Sequence, residues 1–280
     1  MDEIGKTMDR RTFMKSTIAT GAGLAVAASL GNLAWGKSVS DSDLADLSLY
    51  ELSKMIHSGE ITSKRLVKIY LDRIQKYDGP DGVNSYITLA SDSALKAAEE
   101  LDKAAKSNNF MGPLHGLPIA IKDNLDNKDI RTSGGSSILA MWIPKQDAHV
   151  VEKLRGTGAV ILGKTNMHEF AFGITTNNTH YGPTKNPYDF SKIPGGSSGG
   201  SGAATSAALC AGAIGTDTGG SVRIPAALCG VVGLKPTLGR VGRGGLMYLS
   251  FTRDVIGPLT RNVTDAAIML EAIAGSDCRI

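Results

Sequence analysis

The 280-residue chain lacks the features of a disulfide-rich, metal-binding or nucleic-acid-binding protein. Its three cysteines, Cys210, Cys229 and Cys278, form no CxxC pair and are odd in number, so we expect neither a disulfide nor a metal site. Thirty Lys and Arg against 27 Asp and Glu leave a net charge of only +3, without runs of like charge. The charge pattern therefore gives no reason to propose a nucleic-acid or an anionic-membrane partner.

What remains is the composition of a folded globular protein. Hydrophobic residues make up 42% of the chain and charged residues 20%, enough to bury a large core and stay in solution. No internal repeat and no linker divides the chain after residue 40. Residues 40–280 are therefore expected to form one domain.

Residues 1–36 differ from the rest. Arg10 and Arg11 precede an aromatic residue, and residues 16–36 are uncharged, rich in Ala and Gly, and end in small residues at a candidate cleavage site. This pattern resembles a twin-arginine export signal, which predicts passage through the export machinery to the periplasm. An uncleaved membrane anchor is the alternative, since this stretch is just long enough to span a bilayer. Its weak hydrophobicity favours the export signal.

The apolar pattern after residue 40 alternates between helical and strand-like segments. Apolar residues recur at three- and four-residue steps over residues 47–77, with a break at Ser58-Gly59, which predicts two amphipathic helices. Short apolar runs bounded by Gly or Pro predict buried strands at residues 117–121 and 159–162. Such alternation favours an α/β fold, a sheet covered by helices on both faces. Further helices are predicted at residues 91–106, 148–155, 201–211 and 263–274.

Glycine is abundant, at 34 residues, and many glycines lie between residues 195 and 245. A flexible linker is the plain interpretation of such a stretch. These glycines, however, are interleaved with Ala, Val, Ile, Leu and Cys, which a solvated linker would not carry. We therefore expect ordered loops in which the backbone approaches its neighbours closely.

Residues 158–165, GAVILGKT, match the phosphate-loop pattern GxxxxGK[ST]. A phosphate loop turns its N–H groups inward around an anion, whereas Ala-Val-Ile-Leu is typical of a buried strand that holds the backbone extended. We therefore interpret the match as accidental, and no nucleotide is expected to bind there.

Residues 196–200, GSSGG, match the GxSxG pattern of the nucleophile elbow, which would make Ser198 a hydrolase nucleophile. That fold takes its acid and its histidine from positions after the serine. Every histidine of the chain precedes Ser198, so this interpretation is a minor alternative. The five histidines are His57, His115, His149, His168 and His180.

A third constellation has four parts that occur in order. They are GLPIAIKDN at 116–124, PGGSSGGSGAA at 194–204, GTDTGGSVRIPA at 215–226 and GVVGLKPT at 230–237. Together they resemble the amidase signature family, over about residues 45–275. Chance can produce one such match but not all four in order. The resemblance implies a single twisted mixed sheet wrapped by helices, in agreement with the apolar pattern.

The resemblance also implies the chemistry. Position by position, Ser221 corresponds to the family's nucleophile, Ser197 to its bridging serine in a cis peptide, and Lys122 to its base. The implied reaction is hydrolysis of a carboxamide to a carboxylate and ammonia through an acyl-enzyme on Ser221, without a metal or cofactor. Small or aryl-substituted primary amides are the implied substrates, and the oligomeric state is left open.

A lysine base must be neutral to accept a proton, although the pKa of a free lysine lies near 10.4. Burial of Lys122 at the end of its strand would lower that pKa. The carboxylate of Asp123 would oppose the shift if it faced the amine, so we expect it to point elsewhere.

An amide also needs a stabilised oxyanion. The run before Ser221 lacks side chains at Gly219 and Gly220, so backbone N–H groups of Thr218, Gly219, Gly220 and Ser221 are expected to converge on one carbonyl oxygen.

Several of these residues also have a plain structural interpretation. Lys122 by itself is typical of a surface lysine at a strand end, and only the two serine loops favour catalysis. Ser198 and Ser201 fit the role of helix caps. Asp217 and Arg223 flank the nucleophile loop, and we expect them to pair and fix it.

Two alternatives to a freestanding amidase stay open. One is the glutamine-amidotransferase subunit that supplies ammonia to charged transfer RNA, which shares these motifs but needs partner subunits and a cytoplasmic location. The other is an inactive remnant, since the family is usually much longer and completes its sheet with a C-terminal portion. On that comparison, residues 40–280 are expected to form an incomplete amidase domain.

Overall fold

The structure is a computed structural model that describes residues 40–277. The segment interpreted as an export signal and Cys278 lie outside the described residues. Within them, Cys210 and Cys229 are buried free thiols.

The N-terminal part confirms the two amphipathic helices predicted over residues 47–77. The capping box of Ser48 and Glu51 starts the first, and Gly59, at φ 77°, ends it. The side chain of Thr62 caps the start of the next. A short helix precedes both. The three helices are α1 (Asp41–Asp46), α2 (Leu49–Ser58) and α3 (Ser63–Tyr77).

A six-stranded mixed sheet forms the centre of the fold, with strand order β1-β3-β2-β6-β8-β7. The pairs β3/β2 and β2/β6 are parallel, and the remaining pairs are antiparallel. Strands β4 and β5 form a separate two-stranded sheet. The strands are β1 (Tyr86–Leu89), β2 (Pro118–Lys122), β3 (Val160–Thr165), β4 (Asn177–Asn178), β5 (Gly182–Pro183), β6 (Gly212–Asp217), β7 (Val232–Gly233) and β8 (Val255–Thr260).

The sheet is covered by helices on both faces, which confirms the α/β class predicted from the sequence. Every residue of β2, β3, β6 and β8 is buried. This explains their short apolar sequences. The later helices are α4 (Ser91–Lys106), α5 (His149–Gly156), α6 (Gly199–Ser206), α7 (Arg223–Cys229) and α8 (Val263–Ile273).

The predicted helix over residues 201–211 is wrong at both ends. Helix α6 begins at Gly199 and stops at Ser206. The guanidinium of Arg73 on α3 binds the carbonyl oxygens of Ala207 and Ala208, and Ala208 has a φ of 52°. These contacts end the helix and lead the chain into β6.

Most of the segment GAVILGKT is a strand, with a register shift at Gly163. Its residues 160–165 form β3, extended and fully buried between β1 and β2. The structure thus supports the interpretation of the phosphate-loop match as accidental.

The parallel strands β2 and β6 bring the candidate site residues to one edge. Lys122 ends β2, and Asp217 ends β6. Since the carboxyl ends of neighbouring parallel strands meet at the same edge of a sheet, the loops that follow them lie together there. Helices α6 and α7 begin just after residues 197 and 221, beside this edge.

Candidate active site

Lys122 is a fully buried lysine with two hydrogen-bond partners. Its Nζ donates to Ser197 Oγ at 2.7 Å and to Thr216 Oγ1 at 2.7 Å. Burial lowers the pKa of Lys122 to about 7, although Asp217 and Asp254 act to raise it. A large fraction of the side chain is therefore neutral near pH 7, the state in which an amine accepts a proton.

The carboxylate of Asp123 is turned away from Lys122, as expected. Its Oδ2 accepts from the backbone N–H of Ser133 at 3.0 Å and of Gly135 at 3.2 Å, and from the Ser133 hydroxyl. Its Oδ1 lies 3.8 Å from the Nζ of Lys164, a second fully buried lysine. The counter-charge of Asp123 is therefore Lys164.

Ser197 is fully buried between α6 and the preceding loop. The peptide bond between Gly196 and Ser197 is cis, as the family resemblance implies. The Ser197 carbonyl oxygen accepts from the backbone N–H of His168 at 3.1 Å, which holds the residue in place. Its hydroxyl therefore faces the Lys122 amine from a fixed backbone.

Ser221 lies next to this pair and is the most exposed of the three, at 6%. The backbone N–H of Ser198 donates to the Ser221 carbonyl oxygen at 3.2 Å, which brings the two serine loops together. The hydroxyls of Ser197 and Ser221 make no direct hydrogen bond in the described part of the chain. Catalytic hydrogen bonds of this kind commonly tighten only around a bound substrate.

Asp217 stabilises the loop that contains Ser221. Its fully buried carboxylate accepts from the backbone N–H groups of Gly220 at 2.8 Å, Val222 at 3.0 Å and Arg223 at 3.3 Å. The Arg223 guanidinium adds two contacts, at 2.9 and 3.0 Å. Burial acts to raise the pKa of Asp217, but these hydrogen bonds outweigh it and the pKa is lowered. The expected pairing of Asp217 with Arg223 is present.

One expected oxyanion donor is already used. The N–H of Gly220, at φ 129°, donates to Asp217 Oδ1, so it does not converge with its neighbours as the sequence suggested. The backbone N–H groups of Thr218, Gly219 and Ser221 donate to no acceptor within residues 40–277. Of the four expected oxyanion donors, these three remain candidates.

The capping role expected for Ser198 and Ser201 is wrong. Ser198 stands at the start of α6, but its hydroxyl donates to the Thr216 carbonyl at 3.1 Å and accepts from the Thr216 N–H at 3.2 Å. The Ser201 hydroxyl donates to the Ile214 carbonyl at 3.0 Å. Both serines tie α6 to β6. Ser198 is fully buried and its hydroxyl is hydrogen-bonded to the Thr216 backbone. Both facts argue against Ser198 as the nucleophile of an elbow.

Sequence reasoning missed Thr216, Asn124 and Asp254. Thr216 Oγ1 contacts both Lys122 and the Asn124 amide, and Asp254 accepts from the Thr218 hydroxyl at 2.5 Å. Thr216 and Asn124 stand inside motifs that the sequence displays, five residues before Ser221 and two after Lys122. That proximity is the only signal that could have found them.

Residues 40–277 contain neither a group of three or more His, Cys, Asp and Glu side chains placed to hold a metal ion nor a helix long and apolar enough to cross a membrane.

Comparison with known proteins decides the family. A family model described as Amidase matches residues 65–280. The chain belongs to the amidase signature family. Among curated proteins, a glutamyl-tRNA(Gln) amidotransferase subunit of Moorella thermoacetica is 48% identical to the chain over 235 residues, covering 84% of it and 48% of that protein.

Solved structures of amidase relatives share the fold. Native peptide amidase from Stenotrophomonas maltophilia matches with a TM-score of 0.80 and 44% identity, covering 84% of this chain and 49% of its own. The corresponding glutamyl-tRNA(Gln) amidotransferase subunit from Thermotoga maritima matches with a TM-score of 0.73 and 39% identity, covering 86% and 49%. The chain thus spans about half the length of these relatives.

Proposed function

We propose that the protein hydrolyses a carboxamide C–N bond through an acyl-enzyme on Ser221, with Ser197 and Lys122 as its proton relay. The observation that carries the proposal is the 2.7 Å contact of the buried Lys122 amine with the Ser197 hydroxyl. The chain spans about half the length of its relatives, so amide hydrolysis by the whole protein is itself a proposal.

The proposed reaction balances without a cofactor. Lys122 takes the proton of Ser197 as Ser197 takes that of Ser221, and the Ser221 oxygen attacks the amide carbon. The N–H groups of Thr218, Gly219 and Ser221 stabilise the oxyanion, each worth about 10²–10³ in rate. Collapse returns the proton through Ser197 to the nitrogen and releases ammonia. Water then gives a proton to the same relay and attacks the ester carbon, and the relay returns that proton to the Ser221 oxygen as the carboxylate product leaves.

The relatives support two substrate classes. The likeness to a peptide amidase, at 44% identity, supports a freestanding amidase, and small or aryl amides are the substrates that the family motifs imply for it. The curated relatives at 46–49% identity are glutamyl-tRNA(Gln) amidotransferase subunits, which supports a second candidate, release of ammonia from glutamine within a complex on transfer RNA. The same Ser221 chemistry performs both reactions.

Ammonia release tests the proposal and separates the two candidates. The protein, as its gene encodes it, is given an aryl amide or glutamine, alone and after copurification from its own cells. Turnover of the aryl amide without partners supports the freestanding enzyme. Glutamine turnover that depends on copurified subunits supports the amidotransferase role. Ammonia release by Ser221→Ala at the wild-type rate would refute both.

For the freestanding enzyme we also propose export, from the Arg10-Arg11 pair and the uncharged stretch after it, whereas the amidotransferase role requires a cytoplasmic location. The family match begins at residue 65, well after this segment. Replacing both arginines with lysine is expected to leave the protein in the cytoplasm with its leader uncut. Cell fractionation measures this, and unchanged export of the double variant would count against the twin-arginine route.

A further inference from the structure

Thr216 connects the candidate base to a buried amide. Its Oγ1 lies 2.7 Å from Lys122 Nζ and 3.1 Å from the side-chain nitrogen of Asn124. Thr216 is 3% exposed and Asn124 2%. The Thr216 backbone is held on both sides by the Ser198 hydroxyl. The threonine hydroxyl therefore has a fixed place between the two groups.

The protons of this cluster do not balance when both nitrogens donate. A threonine hydroxyl carries one proton and two lone pairs, and an asparagine amide has one acceptor end and one donor end. If Lys122 and Asn124 both donate to Thr216, the hydroxyl proton has no acceptor. If only Asn124 donates, the hydroxyl proton can go only to the lone pair of a neutral Lys122 amine. Asn124 Oδ1, meanwhile, is buried without a hydrogen-bond partner.

The second of these arrangements would turn the lone pair of the Lys122 amine away from Ser197. A neutral lysine amine has a single lone pair, and the proposed mechanism needs it to face Ser197. A hydrogen bond from Thr216 would occupy the lone pair and leave Lys122 able only to donate to Ser197. A productive base therefore needs Thr216 to accept from Lys122 and to send its own proton elsewhere.

Turning the Asn124 amide by half a revolution supplies that acceptor. The oxygen and nitrogen of an amide have nearly the same shape, so their assignment follows from the hydrogen-bond network. With Oδ1 toward Thr216, the hydroxyl donates to Asn124 and its lone pairs face Lys122. The same arrangement serves the ammonium that forms when Lys122 accepts the proton.

We propose that Asn124 is a positioning residue that presents Oδ1 to the Thr216 hydroxyl and thereby aims the Lys122 lone pair at Ser197. The inference rests on the proposed function of Lys122 as base. It assigns a role in proton transfer to a residue whose side chain hydrogen-bonds to neither Ser197 nor Ser221.

Other charged groups near Lys122 also affect pKa values at the site, and the test leaves these groups unchanged. Asp217 and Asp254 raise the pKa of Lys122, and His168 is close enough for Lys122 to lower its pKa in turn. Asp123, the next residue in the chain, faces Lys164 instead. None of these groups hydrogen-bonds to the Asn124 side chain, so its replacement leaves them in place.

The pH dependence of kcat/KM for Asn124→Ala tests the orientation, because its acid limb reports the Lys122 pKa. Loss of Oδ1 makes Thr216 a poorer acceptor for the ammonium, so the limb is expected to move to lower pH by about half to one unit. We expect kcat to fall about 3- to 10-fold. Had the amide nitrogen faced Thr216, its removal would move the limb to higher pH.

Asn127→Ala is the matched control, since Asn127 is a buried asparagine of the same loop and has no hydrogen bond to Thr216. Its acid limb is expected to stay at the wild-type pH. A limb that stays fixed in Asn124→Ala, or moves to higher pH, would overturn the inference. The proposed function would survive either result, because it depends on the Ser221→Ala and Lys122→Met variants.

A measurement independent of turnover covers a variant too slow to assay. The side-chain amide resonance of Asn124 in the wild-type protein is followed by nitrogen-15 NMR across the titration of Lys122, near pH 7. We expect its chemical shift to change with that midpoint and to become independent of pH in Lys122→Met. An Asn124 amide that ignores Lys122 would contradict the proposal.

Discussion

Lys122 Nζ and Ser197 Oγ lie 2.7 Å apart, and both side chains are fully buried. Seventy-five residues separate them in the sequence, so only the fold brings them together. The contact joins the end of β2 to the loop before α6. An amine with a depressed pKa at hydrogen-bond distance from a hydroxyl is the arrangement that a proton relay requires.

Removing the amine tests its role as base. Lys122→Met keeps the length and apolar character of the side chain and removes its basicity, so we expect kcat to fall by about 10²–10⁴. Wild-type kcat/KM is expected to rise with pH through a midpoint of about 7. Lys68→Met, at an exposed position on α3, is the control and should match the wild type. Equal activity of the two variants would exclude Lys122 as the base.

The same pKa predicts how stability depends on pH. Between about pH 7 and the unfolded value near 10.4, the unfolded chain holds a proton on Lys122 that the folded chain lacks, so this residue makes stability rise with pH. Lys164, with a pKa of about 8, acts in the same direction.

Urea unfolding of wild type and Lys122→Met at about pH 6 and about pH 10 isolates the Lys122 contribution. The variant should gain stability relative to the wild type at the lower pH, by about 4 kcal/mol at most. A difference between the two proteins that does not change with pH would mean that Lys122 titrates normally.

Asp217 and Arg223 form an ion pair whose members are expected to contribute unequally. Asp217→Ala takes the acceptor from three backbone N–H groups, so it should cost about 3 kcal/mol and release the Ser221 loop, with a large loss of kcat. The Arg223 side chain is 52% exposed, and Arg223→Ala should cost about 1 kcal/mol or less. Equal losses in urea unfolding would show that the ion pair, and not the backbone, dominates.

Lys164 and Asp123 form a buried pair beside the site. Lys164→Met leaves the Asp123 carboxylate without its counter-charge, which should cost about 3–5 kcal/mol. Adding Asp123→Asn removes the stranded charge and should recover part of that loss, by the same unfolding measurement. A double variant no more stable than Lys164→Met would show that Lys164 acts through packing and its hydrogen bonds to the Leu125 carbonyl and the Thr132 hydroxyl, and not through its pairing with Asp123.

The sequence predicts helix bounds and site residues best where a local pattern decides them. The helix over residues 91–106 was predicted to both ends because its apolar spacing is regular and unbroken. Lys122, Ser197 and Ser221 stand in motifs that mark them, and the structure places all three at one edge of the sheet.

Contacts between distant segments could not be predicted. The sequence around Ala207 and Ala208 does not show that Arg73 binds their carbonyl oxygens, so the predicted helix continues to residue 211 where the observed one stops at Ser206. The N–H of Gly220 was assigned to the oxyanion because the pattern GGS does not show where Asp217 points. Thr216 was missed because its contact with Lys122 spans 94 residues.

Covalent labelling tests the central claim most directly. A serine-reactive fluorophosphonate is given to the protein, as its gene encodes it, and the adduct is located by mass spectrometry. We predict a single adduct on Ser221, lost in Ser221→Ala and strongly slowed in Lys122→Met. Ser198→Ala is the matched control and should still be labelled. An adduct on Ser198, or labelling that persists in Ser221→Ala, would contradict the assignment of Ser221 as nucleophile.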